Sequence, residues 1–289
     1  MAICDINGKV IATGGGSSSD FGVVDYSTFT DDSGNIARQA VLTYQGRKLY
    51  PKNYPAQRID FVRNYGGGVM FALGDSYTAM GASYFSAFAE AHGLVCDNRG
   101  VGSSTIAGST ANSVGFQPFH ERLDKAISEY QANGGHTING TAYTCDDVRL
   151  VTFMGGANDW YTVDKEQGVD RIGDPESEDK EQLYGACKYI FSTLLSAFPN
   201  ADIVVILQPS NPSKGNYAMW LKEGIVREMA KMHGLPICDC IFEWHNPSNP
   251  TEAATYWADD QLHMTAAGNQ AIMDKLEKVV NNLPFSRSD

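Results

Sequence analysis

Residues 69–73, 94–96, 148–154, 203–207 and 237–242 are short runs in which apolar side chains dominate. A run with no polar face is buried on both sides, which marks a strand of a parallel sheet. Between these runs the apolar positions recur every three or four residues, the period of a helix. Helices are expected over 82–92, with Tyr84, Phe85, Phe88 and Ala91 as one stripe, and over 119–130, with Leu123, Ile127 and Tyr130. Others are expected over 183–198, 216–233 and 265–280, the last with Thr265 as N-cap. Gly93, Pro199-Asn200 and Gly234 stop three of them. Strand and helix in turn over some two hundred residues predict an α/β fold, a parallel sheet with helices on both faces. Residues 134–144 and the acidic, polar stretch 161–180 read as loops, the second along the rim of a site.

The first 66 residues do not share this pattern. Asn7-Gly8 is a hairpin signal between short apolar runs, and 14–19 is a Gly/Ser link. Short β-type pieces follow at 21–24 and 40–44, with a turn at 31–35 and an extended piece at 50–55. The expected organisation is a small β-rich N-terminal extension, 1–66, and an α/β domain, 67–289, joined at Gly66-Gly67-Gly68.

Charge narrows the partners. With 34 acidic and 22 basic side chains the net charge is −12, so binding of nucleic acid through its phosphates is not expected. No basic amphipathic helix or long apolar stretch suggests a membrane. The start of the chain lacks the features of a signal peptide. Cytoplasmic localisation is the default expectation; a trimmed chain could equally be extracellular or part of a phage particle. Six cysteines fall in no zinc-binding pattern. Cys96 and Cys187 read as core thiols, while Cys238 and Cys240 share one face of a strand. His92, His120, His136 and His233 are expected at exposed helix ends and loops, and His245 as structural.

Candidate chemistry gathers where strands end. The first strand runs into Gly74-Asp75-Ser76-Tyr77, placing Ser76 at the sheet's C-terminal edge, where open α/β sheets build their sites. Alone, such a serine is also what a helix cap looks like. Asn98-Arg99-Gly100-Val101-Gly102-Ser103-Ser104-Thr105 follows the second strand and offers Gly-rich backbone to an anion. After the third comes Gly156-Ala157-Asn158-Asp159, whose Asn could aim its amide at an oxyanion or only stabilise its own turn. Before the last helix, Asp260-Gln261-Leu262-His263 spaces a carboxylate so that it can reach one imidazole nitrogen and leave the other for a serine.

Four such blocks in this order resemble the SGNH hydrolases, also called GDSL esterases and lipases, over residues 69–282. The resemblance implies a flavodoxin-like three-layer α/β/α sandwich and hydrolysis of acyl esters without metal or cofactor. By motif, Ser76 would be the nucleophile, His263 the base and then the acid, and Asp260 its orienting carboxylate. The oxyanion would be held by the Asn158 amide, the Ser76 N–H and a backbone N–H of the second block. The family usually has Gly for that last donor; here Ser103 stands there, preceded by Gly102. Ser103 can serve if its φ is negative, and is strained if φ is positive. Tyr77 replaces the usual Leu and, with Trp160, is a candidate for lining the substrate.

The expected substrate is a short acyl ester, acetyl foremost, of a small molecule or glycan. One alternative is a lysophospholipase or thioesterase acting on longer chains. Another is a glycan-binding attachment module with a vestigial site, its N-terminal extension serving homo-oligomerisation.

Overall fold

The structure is a computed structural model that divides into two compact units, Met1–Arg63 and Asn64–Asp289. It describes residues 62–110, 116–159, 171–212, 216–241 and 250–283, together with five strands in the first unit. There β1 (Ala2–Cys4) pairs antiparallel with β2 (Val10–Thr13); the Asn7-Gly8 signal between them lies outside the described residues. β3 (Phe21–Thr30) pairs antiparallel with β4 (Ile36–Tyr44), which pairs with β5 (Arg47–Leu49). The link expected at 14–19 and the extended piece at 50–55 lie outside the described residues.

The second unit begins with β6 (Val69–Gly74), α1 (Ser76–Met80), α2 (Ala82–Ala91), β7 (Val95–Gly100) and α3 (Phe119–Gln131). A hairpin of β8 (His136–Ile138) and β9 (Thr141–Tyr143) leads to β10 (Val148–Met154), α4 (Leu183–Ala197) and β11 (Asp202–Leu207). The chain continues through α5 (Asn216–Met232), β12 (Ile237–Asp239), α6 (Pro250–Tyr256) and α7 (Ala266–Asn281). Five strands form one sheet in the order β12-β11-β10-β6-β7, every neighbour parallel. This is the flavodoxin-like order.

The apolar runs are unbroken because both faces of the sheet are covered. Phe71, Leu73, Phe153 and Val205 pack on one side with Leu123 of α3, Phe191 of α4 and Met229 of α5. Met70, Ala72, Leu150 and Ile206 pack on the other with Phe85 and Phe88 of α2 and Leu276 of α7. Successive residues of a strand thus serve opposite layers, and fully burying each large side chain contributes about 1.5–3 kcal/mol. Thr265 caps α7, its hydroxyl accepting from Gly268 N at 3.2 Å.

Several expectations need correction. The stretch 134–144 holds the β8–β9 hairpin, not a plain loop. Its turn is Asn139-Gly140, with φ of 50° and 81°, the left-handed pair that a two-residue hairpin requires. β7 runs on to Gly100, β12 stops at Asp239, and α6 was not expected. His92 and His120 are buried, 0% and 4% exposed. His92 lies against the Phe88 ring at 4.3 Å, and His120 meets Tyr189 edge-on at 6.1 Å. His136 joins a polar cluster through Arg99, 2.9 Å away, and His233 is bonded to the Met229 carbonyl. His245 lies outside the described residues. Cys238 and Cys240 do share a face, both buried, with sulfurs 3.9 Å apart. Among the described residues no helix is long and apolar enough to cross a membrane.

Candidate active site

Three strand ends are level. Gly74, the last residue of β6, sits beside Met154 of β10 on one side and Gly100 of β7 on the other. Loops leaving these strands therefore start at one height. The chain passes from β6 to its neighbour β7, then returns across β6 to β10, so the sheet order reverses between β6 and β10. Such a switch opens a crevice at the C-terminal edge.

At the end of β6 a Cβ on residue 74 would collide with the Thr78 side chain, which explains the glycine. Asp75 follows as the N-cap of α1, Oδ1 accepting from Tyr77 N at 3.0 Å. The cap is Asp75, and Ser76 is the first helical residue, partly exposed. Its backbone N–H, at the first position of a helix, has no intrahelical acceptor.

His263 Nε2 lies 3.0 Å from Ser76 Oγ, although 187 residues separate them. On the far side of the ring, Nδ1 is 2.6 Å from Asp260 Oδ2. The other carboxylate oxygen of Asp260 accepts from the backbone N–H of Leu262 and of His263, both at 2.9 Å. Those N–H groups and the His263 side chain hold the Asp260 carboxyl down at about 2. The segment closes on itself: Ala258 N donates to His263 O at 2.8 Å and Thr265 N to Tyr256 O at 3.0 Å.

Tyr77 does not line the crevice. It is 3% exposed, and its hydroxyl donates to the Leu262 carbonyl at 2.6 Å while accepting from Asn211 Nδ2 at 3.3 Å. It fastens the histidine segment to α1. Trp160 lies outside the described residues.

The second block leaves the end of β7. The N–H groups of Gly102 and Ser103 have no acceptor among the described residues, and both residues are exposed. Ser103 has φ of 63°, so the positive-φ case holds and a side chain occupies a left-handed position. Gly102 has no positive φ. Val101 N donates to Gly74 O at 3.1 Å, tying the loop to β6. Asn158 Nδ2 donates to Ser104 O at 3.0 Å, which joins the second and third blocks. That bond uses one of the two amide hydrogens and leaves the other for a ligand.

Four further residues hold these loops in place. Asp159, 0% exposed, accepts from Ile106 N and Ala107 N, both at 3.0 Å; burial pushes it up to about 6 against those two bonds. Gln208, at the end of β11, donates to Asp75 Oδ2 at 2.8 Å and accepts from Ala157 N at 2.7 Å, bridging the Ser76 and Asn158 loops. Burial raises Asp75 to about 7, opposed by its bonds to Gln208 and Tyr77. Glu223 accepts from Gln208 N at 3.0 Å and is itself pushed well up by burial. Arg122 of α3 donates to Gly74 O and to Ser104 Oγ. Asp75 and Asp159 sit inside the motifs; nothing in the local sequence marks Gln208, Glu223 or Arg122.

Among solved structures, a protein from Lactobacillus plantarum is 21% identical, with a TM-score of 0.56 over 78% of this chain and 99% of its own. Another, described as a GDSL-like lipase from Bacteroides ovatus, is 14% identical, with a TM-score of 0.51 over 75% and 99%. At these identities the likeness is one of fold. No curated protein matches the sequence. The profile of the GDSL-like lipase/acylhydrolase family matches residues 72–271, a span holding Gly74-Asp75-Ser76, Asn158 and the Asp260–His263 turn. The chain belongs to that family of hydrolases.

Proposed function

We propose that this hydrolase cleaves short acyl esters, acetyl foremost, of a polar alcohol such as a carbohydrate. Ser76 Oγ attacks the acyl carbon and its proton passes to His263 Nε2. The carbonyl oxygen becomes an oxyanion, held by the free Asn158 amide hydrogen and the N–H groups of Ser76 and Gly102; the positive φ of Ser103 turns the donor role to Gly102. Collapse breaks the bond to the alcohol oxygen, which takes the proton from His263. Water then attacks the acyl-serine, giving its proton to His263; the acid leaves and Ser76 regains its hydrogen. Asp260 stays ionised and orients the ring.

The observation that carries this reading is the continuous chain of contacts Ser76–His263–Asp260, at 3.0 and 2.6 Å. The preference for a polar alcohol is supported by the exposed Gly102 and Ser103 of the second block and the exposed Asp259, Asp260 and Gln261 beside His263.

The test is a series of p-nitrophenyl esters from acetate to octanoate, followed by acetylated xylan. We expect kcat/KM to fall steeply with acyl length, and Ser76→Ala to lose about 10⁴-fold or more. Equal rates in wild type and Ser76→Ala would refute esterase chemistry at this site. A preference for octanoate would move the reading to the longer-chain alternative.

A further inference from the structure

Two arginines stand together behind the second block and are treated differently. Arg99 of β7 is neutralised twice, by Asp97 and by Glu129, each at 2.7 Å. Arg122 has no carboxylate within ion-pair distance among the described residues. Its guanidinium donates to three neutral oxygens: Gly74 O at 3.1 Å, Ser104 Oγ at 2.9 Å and the Arg99 carbonyl. One face lies over the Phe119 ring, 5.3 Å from its centroid. Burial, with Arg99 nearby, pulls its pKa down to about 10 against the Asp75 carboxyl, which acts upward.

Each acceptor belongs to the site. Gly74 directly precedes Asp75-Ser76. Arg99 is one residue before the end of β7. Ser104 follows the two residues with free N–H groups, and its carbonyl takes the Asn158 amide. Neutral acceptors can be satisfied by a neutral donor, which avoids desolvating a charge. A cation here faces the buried Asp75 carboxyl at rest and also favours any negative charge the site acquires during the reaction, and the tetrahedral intermediate is such a charge.

We propose that Arg122 is a positioning residue of the ester hydrolysis: it pins the Gly102–Ser104 backbone to the end of β6 and sets a positive field behind the oxyanion. It acts through Ser104 and the loop, without touching substrate. The inference rests on the esterase reading above.

The test compares Arg122→Gln, Arg122→Lys and Ser104→Ala with wild type, on p-nitrophenyl acetate and on a short alkyl boronic acid, which forms an anionic tetrahedral adduct with the serine. For Arg122→Gln we expect kcat to fall about 10- to 100-fold with KM nearly unchanged, and boronate affinity to fall in step with kcat. Arg122→Lys, which keeps the charge, should recover most of that loss; Ser104→Ala should lose several-fold. Thermal unfolding of each variant separates this from loss of fold. Wild-type kcat in Arg122→Gln would overturn the inference alone. So would equal losses in Lys and Gln that follow their thermal stabilities, since that is the behaviour of a strut. A wild type without Ser76-dependent turnover would overturn the esterase reading, and this inference with it.

Discussion

Asp260 and Asp159 each accept two N–H groups from consecutive residues, Leu262 and His263 at 2.9 Å in one case, Ile106 and Ala107 at 3.0 Å in the other. Their carboxyls are shifted in opposite directions. The Asp260 side chain is 49% exposed, and its carboxyl is held at about 2; Asp159 is 0% exposed and pushed up to about 6. The donors pull both down, so solvent decides the sign, helped at Asp260 by the His263 side chain. One motif of backbone donation thus serves two purposes. On the histidine side, in the mechanism proposed above, it keeps a charge ready to face an imidazolium. In the third block it makes a carboxylate into a rivet to the residues that follow the second.

If that contrast holds, the two aspartates fail differently when changed. Asp260→Asn should lose about 10⁴-fold in kcat while its unfolding temperature stays near wild type, because the site is exposed and only tautomer control is lost. Near-wild-type turnover would remove Asp260 from the relay. Asp159→Ala should instead cost about 3 kcal/mol in urea unfolding, since two buried N–H groups lose their acceptor. An unchanged urea midpoint would mean that water reaches Ile106 and Ala107 in its place.

A smaller effect appears in pH dependence. Burial sets Asp159 and Asp75, at about 6 and about 7, above the ~3.9 of an unfolded aspartate. The folded protein then binds more protons than the unfolded chain in that range, so their contribution to stability declines as the pH rises from 4 to 7. Asp260 has the opposite sign: its contribution is complete above the unfolded value and is lost as the pH falls toward 2. Urea midpoints from pH 4 to 7 should therefore decline less steeply in Asp159→Asn than in wild type. An identical slope would show that Asp159 does not titrate in this window.

The sheet could be read from the chain because strands buried on both faces leave apolar runs such as 148–154, and the four blocks could be found because each follows a strand or precedes a helix. Other features left signals that composition obscured. Asn139-Gly140 is as strong a hairpin cue as Asn7-Gly8, yet it sits among polar residues. His120 falls three residues before Leu123 and seven before Ile127, on the buried stripe of α3. Gln208 and Arg122 are different. Their meaning lies in partners such as Asp75, 133 residues away, and Gly74, 48 away, and no local pattern records a tertiary hydrogen bond. Ser103 was legible as a departure from glycine, but the sign of its φ was not.

The closed turn that carries Asp260 and His263 has one more implication. A three-part relay ordinarily requires two long-range alignments, serine to imidazole and imidazole to carboxylate. Here the second is settled within four consecutive residues, by a loop that Ala258 and Thr265 lock at its base. The pair behaves as one prefabricated part with a single mating surface. In the proposed mechanism base and carboxylate are then placed as a pair, and the long-range alignment left to the fold is the 3.0 Å gap between His263 Nε2 and Ser76 Oγ.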